Sequence, residues 1–501
     1  MRVEVEAKDL IECSTEGLVL GIFEGHKPEG QIKELDEKLN NEISSLMQKK
    51  EFNGETGQHA LISTLGRIKA KKIILVGLGK KEEFYSETLR RASALASIVA
   101  RNNSLKDFSF ALHSIQAKIP EEETASSITE GVLLSLYQFT EFKTQELDKI
   151  KKIEKFVVLC DKKDFNKVSS AVNESHTVCH AVNYARSLVN RPSNLKAPEE
   201  LARELSAQAK KLKVKCKVLK EKELKQKGMN AFLSVAKGST QKPVLVVLDY
   251  NSNARDSIAL IGKGITFDSG GLNLKPEDYM TDMKDDMSGA AIVFAVIQAA
   301  SHLRLPIRIL GFLPLTENMP GPNASKPGDI VKAFNGKTIE ILNTDAEGRL
   351  ILADAIAFAE TFKPKALIDI ATLTGSARVA LGRYFTAVLG NNDELINKLI
   401  ASGERTGERL WMLPLIQEYK DFMKSDLADV KNISSYRGEA GTILGAAFLS
   451  YFVEKTDWMH LDIGATAFAS EPDKAKTYIS KGATATGVRA LIDFLKDFSA
   501  K

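Results

Sequence analysis

Between residues 244 and 371 the chain alternates short apolar runs with longer stretches of helical periodicity, and few folds accept that order. Val244 to Tyr250, Ile258 to Gly262, Ile307 to Leu313 and Ala366 to Ala371 read as strands, with Gly289 to His302 and Leu350 to Phe362 as helices. Strands separated by helices become parallel neighbours through crossovers, which predicts a doubly wound sheet with helices on both faces. Ligand sites in such sheets lie beyond the carboxyl ends of strands.

The 501 residues exceed one compact core, since domains usually hold about 100 to 200 residues. Residues 1–165 read as a smaller α/β domain, with strands near Arg2 to Glu6, Leu18 to Phe23 and Lys72 to Gly77 and helices at Tyr85 to Arg101 and Glu130 to Phe139. A strand at Phe156 to Cys160 and a long helix through Ser170 to Leu188 follow, closed by Asn190-Arg191-Pro192. The expected organisation is therefore α/β with two domains: 1–165, a linking helix over 166–190, and a larger C-terminal α/β/α domain over 191–501. Its central sheet is expected to be mixed and mostly parallel. Gly77-Leu78-Gly79 invites a dinucleotide reading, but Lys80, Lys81 and Glu82 stand where GxGxxG needs another glycine, so an ordinary turn is expected.

Charge and cysteine usage exclude several classes. Sixty-nine basic against 65 acidic side chains leave only +4, which gives no basic footprint for nucleic acid. The Lys-rich run from Lys210 to Lys227 reads as a solvated face. Cys13, Cys160, Cys179 and Cys216 lie far apart without CxxC spacing, which argues against a disulfide framework and a thiolate zinc site and for a reducing compartment. His176 and His180 share a helix face, but Thr177 stands where HExxH has glutamate, so an ordinary helix surface is favoured over a metal site. Met1 to Ala7 alternate charge and valine, and no apolar run approaches membrane length. A cytoplasmic protein without a membrane partner is the expectation.

Two segments place charge within apolar surroundings. One runs from Ile261 through Lys263, Asp268, Gly270, Gly271 and Lys275 to Asp282, Asp286 and Gly289; the other is Asn343 to Leu350. Lys263 and Asp268 flank a short apolar hinge at a strand end, and the glycines permit a loop that folds around a small ligand. Taken singly, Asp286, Asp345 and Glu347 each read as helix caps. Taken together, Asp268, Asp286, Asp345 and Glu347 supply four negative charges at loop-to-helix junctions, which two divalent cations balance. Oxygen ligands suit Mg, Mn or Zn, and paired metals are a recurring hydrolytic device.

Asn343 to Leu350 reads NTDAEGRL, which matches the signature of the leucyl aminopeptidase (cytosol aminopeptidase) family at all eight positions. The stretch Ile261 to Gly271, then Lys275-Pro276 and Met283-Lys284-x-Asp286-Met287, resembles the same family in order and spacing. So do Asn190 to Asn194, Ala371 to Gly375 and Trp458 to Ile463, and the resemblance covers roughly residues 180 to 495.

The resemblance implies a metal-dependent aminopeptidase that removes the N-terminal residue of peptides through a metal-bridged hydroxide, with two Mn or Zn ions per subunit. It assigns Asp268 and Glu347 as shared carboxylates, Lys263 and Asp286 as ligands of the tighter metal, and Asp345 as a ligand of the exchangeable one. Lys263 binds metal only as a neutral amine; kept protonated, it is an ion-pair partner of the carboxylates. Lys275 polarises the substrate carbonyl, and Arg349 holds a bicarbonate that serves as general base. The substrate's neutral α-amine takes a remaining metal position, which selects a free N-terminus. Met283, Thr372 and Gly375 line the pocket for the first side chain, closed by the 463–468 loop, with leucine and other large apolar residues preferred. Ser376 departs from the alanine common there, and Asn343 either bonds the substrate or serves a turn.

The N-terminal domain carries no family site residue and is expected to support assembly of a homohexamer. The competing readings are a two-metal phosphoesterase and a peptidase with an added DNA-binding architectural role, which salt-dependent DNA binding would reveal.

Overall fold

A computed structural model of the chain describes residues 1–115, 119–436 and 438–499. It forms two compact units, Met1–His180 with Glu471–Lys481, and Ala181–Ser470 with the remainder of the C-terminal segment. The division falls inside the helix Phe165–Asn190, and the short return of 471–481 to the first unit has no counterpart in the sequence expectation.

The first unit is built on a six-stranded sheet ordered Arg2–Ala7, Lys155–Cys160, Asp107–Ala111, Gly17–Ile22, Lys72–Gly77, His59–Ser63. All neighbours are parallel except the last pair. Its inner strands are apolar on both faces, as burial on two sides demands. The helix expected at Glu130 to Phe139 instead spans Glu121–Ser135. Three glutamates in its first turn favour the positive end of the helix dipole, and the buried Thr124, Ser127 and Thr129 interrupt the apolar period that the sequence offers as a signal. Gly77 belongs to a close main-chain approach, since a Cβ there would lie 1.9 Å from the Glu55 carbonyl oxygen. The next long helix begins only at Ser86, so the glycine turn opens no dinucleotide-type helix. Residues 471–481 are held within this unit by the Tyr478 hydroxyl on Glu87 (2.9 Å) and the Thr477 hydroxyl on the Arg91 carbonyl (3.1 Å).

In the second unit the main sheet is ordered Leu410–Met412, Thr386–Gly390, Asp457–Asp462, Ala366–Ala371, Ser257–Gly262, Arg308–Asn318, Val244–Tyr250, Lys215–Lys220. The four central strands run parallel and antiparallel pairings lie toward the edges, so the sheet is mixed and mostly parallel. The lysines of Lys215–Lys220 project from an edge strand into solvent, where charge blocks further strand pairing.

Two departures from expectation matter for function. The strand expected at Ile307 to Leu313 continues to Asn318, and the supposed hinge after Lys263 is itself a strand, Gly264–Asp268, paired in parallel with that extension. The main chain breaks at Gly262-Lys263 because the helix Ser288–Leu303 starts against it: a Cβ on Gly262 would lie 2.4 Å from the Gly289 carbonyl oxygen, and one on Gly289 2.0 Å from that of Ile370. Two glycines thus let a helix start touch two strand ends. By length and composition the stretch Glu277–Leu303 suffices to cross a membrane, but 83% of its apolar window is buried, as in a core helix.

Candidate active site

The site lies where those elements meet. Lys263 follows its strand, Asp286 precedes the helix Ser288–Leu303, and Glu347 precedes the helix Gly348–Glu360. Neither carboxylate caps its helix. Asp286 lies before the N-cap residue Met287, and Glu347 at its own helix start makes no side-chain capping bond, so the capping expectation gives way to a tertiary contact. The Lys263 ammonium sits 2.7 Å from Asp286 Oδ1 and 2.8 Å from Glu347 Oε1, and donates to the Thr372 carbonyl at 2.9 Å. Gly348 makes room for it, since a Cβ there would come within 2.5 Å of Lys263 Cε.

A second lysine closes the other side. Lys275 Nζ lies 2.9 Å from Asp268 Oδ2 and 2.6 Å from Asp345 Oδ1. Asp268 Oδ1 accepts from the Gly270 amide and from Asn318 Nδ2, both at 2.8 Å, while the Thr372 hydroxyl donates to Asp286 Oδ1 at 2.7 Å. Asp268, Asp286 and Glu347 each offer an oxygen, all within 4.8 Å of one another. Among the described residues no other such group of His, Cys, Asp or Glu forms, and His176 and His180 are exposed on their helix.

Burial and charge set the proton affinities. Burial works to lower Lys263 and Lys275, but the surrounding carboxylates prevail and hold both well above the usual lysine range. Burial raises Asp286 strongly and lifts Asp268 to about 6, helped by the Glu347 charge. Asp345 is also raised by burial. Burial would raise Glu347 too, yet the two lysines hold it below the usual carboxylate range. Arg349 is lowered by burial to about 10 and stays protonated at neutral pH.

Counted as ionised, the four carboxylates exceed the two ammonium groups by two negative charges in a largely buried place. Asp286 Oδ2 and Glu347 Oε2 are buried and have no hydrogen-bond partner among the described residues. Such oxygens are costly to leave unmet, and a hard divalent cation meets them; the donor set therefore fits Mg, Mn or Zn.

The remaining expected residues surround this centre. Arg349 donates to the Asn432 carbonyl at 2.6 Å, and its buried Nε has no hydrogen-bond partner among the described residues. The Asn343 side-chain oxygen accepts from the Asp345 amide at 2.8 Å, which is the turn role. Met283 is half-buried in the turn Met283–Asp285, and Gly375 is exposed with open space at its Cβ position. The loop after Ala371 is tied to the 463–468 segment through Asp462, which accepts from the Leu373, Thr374 and Gly464 amides. Ser376 packs its hydroxyl against Gly441.

Sequence reasoning missed Asn318, Asn432 and Lys196. Lys196 is buried and donates to the carbonyls of Leu188, Val189 and Lys284, tying a helix end to the turn before Asp286. Each of these residues makes at least one bond to a segment distant along the chain, and no local pattern announces such contacts.

The family model described as "Cytosol aminopeptidase family, catalytic domain" matches residues 183–492, and its N-terminal domain counterpart matches 19–146. The chain belongs to the cytosol aminopeptidase family. A probable cytosol aminopeptidase of Geobacter sp. (strain M21) is 42% identical over 499 residues, covering 99% of this chain and 100% of the relative. The cytosol aminopeptidase of Pseudomonas aeruginosa is 40% identical, covering 96% of each chain. Among solved structures, a tomato leucine aminopeptidase variant matches with TM-score 0.88 and 30% identity over 99% of this chain and 96% of its own. The bottromycin maturation enzyme BotP in complex with Mn matches with TM-score 0.85 and 32% identity over 97% of this chain and 100% of its own. As a member of this family, the protein is a metal-dependent aminopeptidase that hydrolyses the N-terminal residue of peptides. Neither a phosphoesterase nor a DNA-binding role finds support in these matches.

Proposed function

We propose that this cytosol aminopeptidase prefers leucine and other large apolar N-terminal residues and works with two divalent cations, Mn or Zn. The observation that carries the reading is the buried junction of Lys263, Asp268, Asp286 and Glu347, with its unmet oxygens on Asp286 and Glu347. BotP is described with Mn, which favours the same class of ion here. Asp268 and Glu347 would contribute to both cation sites, Lys263 and Asp286 to the tighter one, and Asp345 to the exchangeable one. When bound, the cations supply Lewis acidity toward water and the scissile carbonyl.

The chain's own groups do the rest. Lys275 presents a protonated amine to the carbonyl oxygen as negative charge develops there. Arg349 offers its unpartnered Nε and planar fork to a bicarbonate ion, the family's general base. Met283, Thr372 and Gly375 receive the first side chain, with the 463–468 loop closing the pocket. Asn343 holds the ligand-bearing turn and is the residue we assign to bond the substrate. Homohexamer assembly through residues 1–165, the linking helix 166–190, the catalytic domain 191–501 and a cytoplasmic location complete the proposal.

Purified protein incubated with leucine p-nitroanilide is expected to release p-nitroaniline, to lose that activity with chelator, and to regain it with Mn or Zn. Activity indifferent to chelator contradicts the reading.

Cation uptake is expected to release protons. Lys263 must shed a proton to act as a ligand, and Asp268 and Asp286 bind protons more readily than ordinary carboxylates. Affinity therefore falls as pH falls and drops steeply below about 6. Calorimetric titration with Mn at about pH 5.5 and about pH 7.5, in buffers of different ionisation enthalpy, measures both effects. An affinity flat across that range contradicts the assignment.

A further inference from the structure

Residues 342–347 carry Asp345 and Glu347 yet have no regular structure between the strand Thr338–Ile341 and the helix Gly348–Glu360. Thr344 in their middle is held by Asn273, Gly270 and Asn318, and the residues on either side of it need further support. The strand Val430–Lys431 runs parallel to Thr338–Ile341, and the Asn432 amide extends the pairing to the Glu340 carbonyl at 2.9 Å. There the two chains diverge and the Asn432 side chain replaces the missing main-chain partner. Its Oδ1 accepts from the Leu342 amide at 2.8 Å and the Asn343 amide at 3.3 Å, and its Nδ2 donates to the Asn343 carbonyl at 2.7 Å. A longer contact of 3.5 Å reaches the Ala346 carbonyl. Asn432 is fully buried, so water offers no substitute for these bonds. Its own carbonyl accepts from Arg349 at 2.6 Å.

We propose that Asn432 is a positioning residue of this centre, holding the ligand-bearing turn 342–347 through a side-chain amide that acts as a substitute peptide group, while its main-chain carbonyl holds the Arg349 guanidinium. The proposal rests on the assignment of Asp345 and Glu347 as cation ligands. It acts through them, and Asn432 touches no reacting atom. Groups behind metal ligands commonly carry about 10- to 100-fold in affinity or activity.

The test compares the parent with Asn432→Asp, Asn432→Ser and Thr338→Ala. Asn432→Asp keeps the shape and the oxygen that accepts from the Leu342 and Asn343 amides but turns a second oxygen toward the Asn343 carbonyl. Asn432→Ser removes the amide without burying a charge. Thr338→Ala deletes a hydroxyl bonded to Asp429 in the same small sheet and serves as a stability control. Both Asn432 variants are expected to bind Mn about 10- to 100-fold more weakly by calorimetry on folded, metal-free protein, and to lower kcat by a similar factor with KM within about twofold. Thr338→Ala is expected to shift the melting temperature without moving Mn affinity. Asn432 variants that lose melting temperature but keep parental Mn affinity and kcat overturn the proposal and leave the ligand assignment standing. A parent that binds no Mn overturns the assignment itself. If neither Asn432 variant folds, hydrogen exchange in the parent decides. Leu342 and Asn343 amides protected like sheet amides support the proposal, and amides exchanging as fast as an exposed loop overturn it.

Discussion

Glu347→Gln is expected to lower kcat/KM by at least about 10³-fold, equivalent to about 4 kcal/mol of transition-state stabilisation. The substitution is nearly isosteric, and the side chain makes no capping bond at the start of its helix, so the fold is retained. What changes is the charge. Glu347 is buried, 2.8 Å from the Lys263 ammonium, and held ionised by Lys263 and Lys275. A glutamine there removes one of four carboxylate charges and turns an N–H donor toward either the lysine or an incoming cation. Mn affinity is expected to fall together with the rate. Kinetics with leucine p-nitroanilide and calorimetry with Mn read the two losses, and a variant with parental values for both removes Glu347 from the site.

Lys275→Met is expected to separate what Glu347→Gln couples. Methionine keeps the length and apolar stem of the lysine but cannot donate to an oxyanion. Loss of one such donor costs about 10²- to 10³-fold in kcat. Cation binding is expected to persist or tighten, because the ammonium that pairs with Asp268 and Asp345 no longer competes for them. The signature is a collapsed rate with intact Mn binding. Equal loss of both would make Lys275 a support of the cation site and would exclude the oxyanion role.

The contrast between these variants also shows how legible the site was. The octapeptide at Asn343 to Leu350 and the Lys263 to Gly271 stretch carry enough local pattern to mark the charged residues and their family. Read singly, Asp286 and Glu347 remained helix caps, because spacing in a sequence measures position along one helix. The structure turns both toward Lys263, more than twenty residues from one and more than eighty from the other. The Gly264–Asp268 strand was read as a hinge because its pairing partner, the extension of Arg308–Asn318, lies elsewhere in the chain.

Apolar periodicity and glycine placement are set by near neighbours, so the sequence by itself determined the α/β class, the buried central strands and helices beginning close to Gly289 and Leu350, one or two residues after the observed starts at Ser288 and Gly348. Charge type and order pointed to the carboxylates, two lysines and an arginine as the candidate groups. Only the tertiary structure decided which oxygens remain unmet, how Lys263 is shared between Asp286 and Glu347, and that Asn432 braces the turn between them and Arg349. Those outcomes depend on hydrogen bonds and ion pairs between distant segments, whose energies exist only once burial has removed water from around them.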